Sequence, residues 1–153
     1  MDKTKALNSQ YKDMLSIFSE KKVKFLLVGA YAMVVHGYPR STTDIDLLIK
    51  PDSENALLVL KALDDFGAPV SYLSAKDLQK KDFVFQIGIA PCRIYILTSI
   101  DGLNFDDAFS RSEMKKIEGI PVRVLSVPDL IISKRAAGRK KDLADAEMLE
   151  KGL

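Results

Sequence analysis

Two segments decide how this chain folds: Leu27-Val28-Gly29-Ala30, and Arg40-Ser41-Thr42-Thr43-Asp44-Ile45-Asp46-Leu47-Leu48-Ile49. In the first an apolar strand breaks at a glycine, and in the second another apolar strand opens with two aspartates. Because strand side chains alternate between the faces of a sheet, Asp44 and Asp46 are expected to project from the same side. Two carboxylates this close repel each other unless a cation or an arginine lies between them. The pattern predicts a divalent-metal site; the alternative is a chance Asp-x-Asp where a loop enters a strand.

The order of these motifs resembles the nucleotidyltransferase superfamily, in which a strand, a Gly-Gly or Gly-Ser turn, a short helix and an Asp-x-Asp strand follow one another. It is most similar to the small bacterial branch related to AbiEii-type abortive-infection toxins. The residues that match this branch are Gly29, His36, Gly37, Arg40, Thr42, Asp44 and Asp46, followed by the segments 93–102 and 134–145. The resemblance covers residues 23 to 150, which is nearly the whole chain.

This resemblance implies an α/β (α+β) fold, the minimal nucleotidyltransferase fold. It consists of a mixed, twisted sheet with flanking helices and a C-terminal helical pair. We expect one nucleotidyltransferase-like domain over residues 1–153, with a core at about 23–125 and C-terminal helices at about 126–151.

The resemblance also implies a reaction, the Mg²⁺-dependent transfer of a nucleoside monophosphate from an NTP to a hydroxyl on RNA or protein. Asp44 and Asp46 would be catalytic and would hold Mg²⁺ or Mn²⁺. The residues implied to bind the nucleotide are Gly29, Ala30, Arg40, Lys134, Arg139 and Lys141. Backbone N–H groups at the Gly29-Ala30 turn would cradle phosphates, and the cations would offset their charge. Arg40 would orient the aspartates or hold a phosphate. The alternative for Lys141 is a surface ion pair with Asp142 or Asp145.

Two departures from the superfamily pattern leave activity open. Ala30 stands where a second glycine or a serine is usual, and Tyr95 stands where this branch has its third metal-binding carboxylate. A phenol with a pKa near 10 is not a magnesium ligand at neutral pH. Asp101 and Asp82 are candidates to replace the missing carboxylate. The alternative function is a catalytically reduced protein that binds nucleotide, RNA or a partner protein, and a third is a toxin–antitoxin component with a cognate antitoxin.

Periodicity and capping signals predict the secondary structure. Predicted helices cover 5–20, 31–36, 51–66, 105–109 and 126–137, with another after Gly138. Predicted strands cover 23–28, 44–50, 83–89 and 93–97, followed by a hairpin over 115–125 that turns near Glu118-Gly119.

Composition is typical of a compact globular chain: 153 residues, 47% hydrophobic, with a net charge of +2. A single cysteine, Cys92, excludes an intrachain disulfide, and we expect it to be buried in apolar packing. His36 is the only histidine, and its expected role is structural. The longest apolar run, residues 25–35, is shorter than the roughly 20 residues that span a bilayer. With no signal peptide at the N-terminus, the expected location is the cytoplasm, away from membranes.

Overall fold

The computed structural model describes residues 9–88 and 92–152. Its strands are β1 (Phe25–Val28), β2 (Asp44–Ile49), β3 (Val84–Ile87), β4 (Arg93–Leu97), β5 (Glu113–Ile117) and β6 (Ile120–Val124). Its α-helices are α1 (Ser9–Glu20), α2 (Gly29–Val35), α3 (Ser53–Phe66), α4 (Phe105–Arg111), α5 (Val127–Ala137) and α6 (Lys140–Lys151). A short 3₁₀ turn at Asp77–Gln79 was not predicted.

The six strands form one mixed sheet in the order β3-β4-β2-β1-β6-β5. β1 runs antiparallel to β2 and parallel to β6, while β2 runs parallel to β4. The hairpin β5–β6 and the antiparallel strand β3 form the two edges. The α/β fold with a mixed sheet and a C-terminal helical pair, predicted from the sequence, is confirmed.

One face of the sheet packs against α1. Phe18 of α1 meets Phe25 of β1 edge to face, with ring centroids 5.2 Å apart. The Tyr11 hydroxyl donates hydrogen bonds to the carbonyls of Thr43 and, at 3.3 Å, of Arg93, where β2 and β4 begin. Burial and the neighbouring Cys92 and Asp44 raise the pKa of the Tyr11 phenol, which keeps it a donor. Helix α1 therefore ties together the two strands that flank the predicted site.

The predicted element boundaries hold closely, with one informative difference. Helix α2 begins at Gly29 and not at Tyr31, because β1 ends at Val28, whose extended backbone directly precedes the first turn of the helix. Gly37 ends this helix at φ +94° as predicted, with its N–H bonded to the Val34 carbonyl. The hairpin turns at Glu118 and Gly119, both with positive φ. Parts of two predicted elements, residues 5–8 and 89, lie outside the described residues.

Capping residues set the two ends of α5, the first of the C-terminal helices. The Ser126 hydroxyl accepts from the Asp129 N–H at 3.2 Å and starts α5, and Gly138 ends that helix in the left-handed conformation. Helix α5 packs along α6 and also contacts α2. Within residues 9–88 and 92–152, no helix has the length and apolar character needed to cross a membrane.

Two single-residue predictions can be compared with the structure. The His36 ring nitrogen Nε2 lies 2.8 Å from the Leu125 carbonyl oxygen, which confirms a structural role. Cys92 was expected to be buried in apolar packing; it packs against the core but is only half-buried. It stands just before β4, beside Tyr11.

Candidate active site

Two aspartates open β2 on one face of the sheet, and we call Asp44 and Asp46 the β2 acid pair. Asp46 lies between Val28 of β1 and Tyr95 of β4 in the strand register. Gly29, which follows Val28, has φ +73°, and a Cβ there would overlap the Asp46 carboxylate oxygen Oδ2. The Asp46 carboxylate thus lies on the bare Cα of the glycine, so both the conformation and the contact require glycine.

The β2 acid pair has little internal compensation for its charge. Asp44 Oδ1 is buried and accepts no hydrogen bond from any residue that the structure describes. Burial, and then the charge of Asp44, raise the pKa of Asp46 to about 6, while Lys134 and Lys141 act to lower it. Thr42 shapes the entry to the strand, since its hydroxyl accepts from the Asp44 N–H at 3.2 Å.

A cleft of about 730 Å³ opens over the β2 acid pair. Every residue predicted to act here lines it: Gly29, Ala30, Arg40, Asp44, Asp46, Lys134, Arg139 and Lys141. They come from four places in the sequence, namely the start of α2, the loop before β2, β2 itself and the α5–α6 region. The structure therefore brings together residues that lie up to 112 positions apart in the sequence.

A second pair of acids, Asp142 and Asp145, belongs to the far wall, and we call it the α6 acid pair: Asp142 lines the cleft, and Asp145 lies behind it against Lys134. Both are buried, with 1% and 5% of their surface exposed. Lys134 Nζ lies 3.0 Å from Asp145 and 3.7 Å from Asp142. Arg139 Nε lies 2.7 Å from Asp142. The alternative interpretation, in which these acids belong to weak surface pairs, is wrong, because packing of α6 on α5 buries them.

Arg40 is also bound to this wall and not to the β2 acid pair. Its Nε donates to Asp145 Oδ1 at 3.0 Å, and one terminal nitrogen donates to the Ser41 carbonyl at 2.6 Å. The expectation that Arg40 orients Asp44 and Asp46 is therefore not supported by any contact among the described residues. Lys141 is exposed and forms no ion pair with any of them.

The far wall keeps an excess of positive charge. Four cations, Arg40, Lys134, Arg139 and Lys141, stand against Asp142, Asp145 and the exposed Asp101, whose charge acts on Arg139, which leaves one positive charge in excess. Burial would raise the pKa of Asp142, but its hydrogen bond and ion pair with Arg139 outweigh burial and lower that pKa. Asp142 thus stays ionised and holds Arg139 and Lys134 in place.

Sequence reasoning did not give the α6 acid pair a role. The available signal was the segment 134–145, in which Asp142 and Asp145 lie three residues apart and so share one side of a helix. What the sequence alone could not indicate is that Arg40, 105 residues away, supplies part of their charge compensation.

The residues of the β2 acid pair fit a divalent cation. A buried carboxylate oxygen without a donor, beside a second carboxylate whose pKa is raised, is the donor set of an oxygen-binding ion. Mg²⁺ typically takes one or two protein carboxylates and completes its shell with water and substrate phosphates. Asp44 and Asp46 would hold such an ion.

The structure describes no third carboxylate ligand for this ion. Tyr95 stands directly opposite Asp46 on β4 and is not among the residues that line the cleft. Asp101 lines the cleft but is exposed, and the Asp82 carboxylate accepts a hydrogen bond from Ser99 at 2.7 Å. Within the described residues, no cluster of three or more His, Cys, Asp or Glu residues fits a metal ion.

Solved structures share this fold at low sequence identity. TM1012 of Thermotoga maritima, a candidate nucleotidyltransferase, is 18% identical with a TM-score of 0.56, over 92% of this chain and 88% of its own. The antibiotic-resistance factor ANT(2'')-Ia is 16% identical with a TM-score of 0.59, over 99% and 85%. The lincosamide antibiotic adenylyltransferase LnuA, solved with lincomycin, is 14% identical with a TM-score of 0.59, over 94% and 96%. No curated protein matches the sequence.

A family model described as "Nucleotidyltransferase of unknown function (DUF6036)" matches residues 5–150. That match covers nearly the whole chain and includes both acid pairs and the glycine turn. The chain therefore belongs to the DUF6036 family of nucleotidyltransferases.

Proposed function

We propose that this protein is a divalent-metal-dependent nucleotidyltransferase that moves a nucleoside monophosphate from an NTP to an acceptor hydroxyl. The chain would act as a single nucleotidyltransferase unit, with Asp44 and Asp46 holding Mg²⁺ or Mn²⁺. The residues that would contact the triphosphate are Gly29, Ala30, Arg40, Lys134, Arg139 and Lys141.

The observation that carries this proposal is the charge arrangement across one cleft. On one side lies the β2 acid pair, which has no ion-pair partner among the described residues, and on the other lies a wall with an excess of positive charge. A metal–triphosphate complex is cationic where it meets carboxylates and anionic along its phosphates, so it matches both sides at once. Neither a metal ion alone nor a nucleotide alone would compensate both.

The proposed reaction forms one bond and breaks one. The acceptor hydroxyl oxygen attacks the α-phosphorus of the NTP, the bond from that phosphorus to the β-phosphate bridging oxygen breaks, and pyrophosphate leaves with the electron pair. The hydroxyl proton passes to solvent, with the β2 acid pair helping to activate the hydroxyl. Bound divalent metal would supply charge stabilisation at the reacting phosphoryl group. Lys134 and Lys141 face the cleft and would hold the charged phosphates in line.

Further details predicted from the sequence remain proposals. They are an acceptor hydroxyl on RNA or protein, membership of the branch related to AbiEii-type toxins, and a cognate antitoxin as partner. The second candidate function is binding without turnover, and Tyr95 favours it, because a tyrosine opposite Asp46 supplies no third carboxylate.

The test is transfer of label from each α-³²P-NTP, with Mg²⁺ or Mn²⁺, onto a total cell extract, whose RNA, protein and small-molecule fractions are then separated. Wild type is compared with Asp44→Ala, Tyr95→Asp and the control Asp64→Asn, which changes an exposed acid of α3 outside the cleft. We expect label with wild type and Asp64→Asn, and a loss of at least about 100-fold with Asp44→Ala.

The other outcomes distinguish the candidates. Label that appears only with Tyr95→Asp would show that the wild-type protein binds its ligand without catalysing transfer. Label from wild type that survives Asp44→Ala would exclude the β2 acid pair as the metal site. If all variants are silent, calorimetric titration with α,β-methylene ATP and Mg²⁺ decides, because no binding by wild type would overturn both proposals.

A further inference from the structure

A second cavity lies next to the cleft, at the C-terminal ends of β2 and β4. Its volume is about 360 Å³, and it shares Ser99 and Ile100 with the cleft. Leu48 forms part of its wall and stands two residues after Asp46 on the same face of β2. Two residues of strand span about 7 Å, so the cavity begins within the length of a small molecule from the β2 acid pair.

The apolar part of the cavity wall comes from Leu48, Pro51, Ile100, Leu103 and Phe105. The Phe105 ring is fixed by stacking on Phe109, with centroids 5.4 Å apart. The rest of the lining is polar and includes amide and hydroxyl side chains. An apolar floor with a few polar groups is the usual construction of a small-molecule site, and the volume is near the lower end of the range for such sites.

The cavity carries no net charge, in contrast to the neighbouring cleft. Its charged lining residues are two lysines, Lys50 and Lys81, and two aspartates, Asp52 and Asp106. Lys50 Nζ lies 3.2 Å from Asp106 and 3.8 Å from Asp52, so its charge is compensated within the wall. An RNA backbone requires an excess of positive charge, and this cavity lacks it.

We propose that this cavity binds the acceptor, and that the acceptor is a small, uncharged organic molecule that carries a hydroxyl. This assignment rests on the proposed nucleotidyltransferase function. The acceptor's apolar portion would lie against Leu103 and Phe105, and its hydroxyl would reach past Ser99 and Ile100 to the α-phosphorus over the β2 acid pair. Phosphoryl transfer then proceeds as described above, with pyrophosphate as the leaving group.

The test screens a library of uncharged, hydroxyl-bearing fragments (glycosides, cyclitols and nucleosides) by saturation-transfer NMR against the full chain. Leu103→Trp fills the cavity, and Lys81→Trp narrows its exposed rim with less risk to folding. Leu57→Trp is the matched control, because Leu57 is 55% exposed and lies away from the cavity. Calorimetric titration with α,β-methylene ATP and Mg²⁺ is run on the same proteins.

We expect fragments that combine an apolar portion with a hydroxyl, such as glycosides with an apolar aglycone, to bind wild type and Leu57→Trp, with affinity at least about tenfold lower in both cavity variants. Affinity for α,β-methylene ATP should stay the same in all four proteins. Three results would overturn the assignment: no fragment whose binding depends on the cavity, nucleotide affinity that falls in the cavity variants, or label transfer to RNA or protein that both cavity variants leave unchanged. Because nucleotide binding is measured separately, the cavity assignment can fail while the proposed transferase function stands.

Discussion

The molecule contains two pairs of aspartates at one cleft, and their charges are compensated differently. The α6 acid pair, Asp142 and Asp145, is buried among three cations that lie within ion-pair distance. Asp145 Oδ2 and Asp44 Oδ1 are both buried without a hydrogen-bond donor, but Asp145 Oδ2 has Lys134 Nζ at 3.0 Å. The β2 acid pair, Asp44 and Asp46, forms no ion pair with any described residue, and the pKa of Asp46 is raised to about 6. The difference teaches that burial of acids does not by itself mark a ligand site. A ligand site is indicated by buried acids whose charge no neighbouring cation of the protein compensates. This feature distinguishes acids that bind a ligand from acids that stabilise the fold.

We expect the largest change in stability when a charge is removed from the α6 acid pair. Asp142→Asn leaves Lys134 and Arg139 without their shared carboxylate, and we expect the free energy of unfolding at neutral pH to fall by about 3 kcal/mol. Urea denaturation measures this change. The control Asp65→Asn removes a half-exposed partner of Lys21 and should change stability by less than about 0.5 kcal/mol. Equal effects of the two substitutions would remove the basis for treating Asp142 as a buried charge.

Removing a charge from the β2 acid pair should raise the free energy of unfolding instead of lowering it. Asp46→Asn relieves the desolvation of a carboxylate and its repulsion with Asp44, so we expect a gain of about 2 kcal/mol at pH 7.5 without metal. Mg²⁺ should stabilise wild type and not the variant. Thermal unfolding with and without Mg²⁺ gives both quantities, and a variant less stable than wild type without metal would contradict the comparison.

The two pairs should also differ in how stability depends on pH. Between 3.8 and about 6 the folded protein retains a proton on Asp46 that the unfolded chain has released, so the wild type loses stability as pH rises through this range. The advantage of Asp46→Asn should be complete above about pH 6 and vanish below 3.8. Asp142 has a lowered pKa, so its contribution is present at neutral pH and is lost only as pH falls below the ordinary carboxyl value. Urea denaturation of wild type and both variants across pH 3 to 8 checks this. As pH rises, the stability of Asp46→Asn relative to wild type should increase, and that of Asp142→Asn should decrease.

The smallest effect is expected at an exposed ion pair close to the compensated one. Arg135 of α5 pairs with Glu150 of α6, and both side chains are about half exposed. Arg135→Ala should change the free energy of unfolding by less than about 0.5 kcal/mol, since solvent screens the pair. A loss similar to that of Asp142→Asn would mean that contact between α5 and α6, and not burial of the acids, sets the stability of this region.

Local signals in the sequence were sufficient for most of the fold. The Ser126 cap, the glycines that end α2 and α5, and the alternation in β2 depend on neighbours within a few residues, and they predicted those elements closely. The strand order could not be predicted in this way, because it depends on pairings between distant segments.

In the candidate site too, local features were predictable from the sequence and long-range contacts were not. The residues of the cleft were predicted from motif order, and they do meet in one place. The ion-pair partners of these residues were not predicted. Arg40 contacts Asp145, which is 105 positions away, and no neighbour of either residue in the sequence indicates this contact. The burial of Asp142 likewise depends on how α6 packs on α5, whereas its own segment, Lys140-Lys141-Asp142, is polar and looks solvent-exposed.

The contact between Gly29 and Asp46 has a consequence for comparing sequences within this family. Since a Cβ at position 29 would occupy the space of the Asp46 carboxylate oxygen Oδ2, a side chain at 29 would force that carboxylate into another position. Related chains that have lost the glycine are then expected to place the acid differently or to have lost it. The identity of residue 29 therefore offers a one-letter criterion for sorting relatives that keep this arrangement of the acid from those that do not.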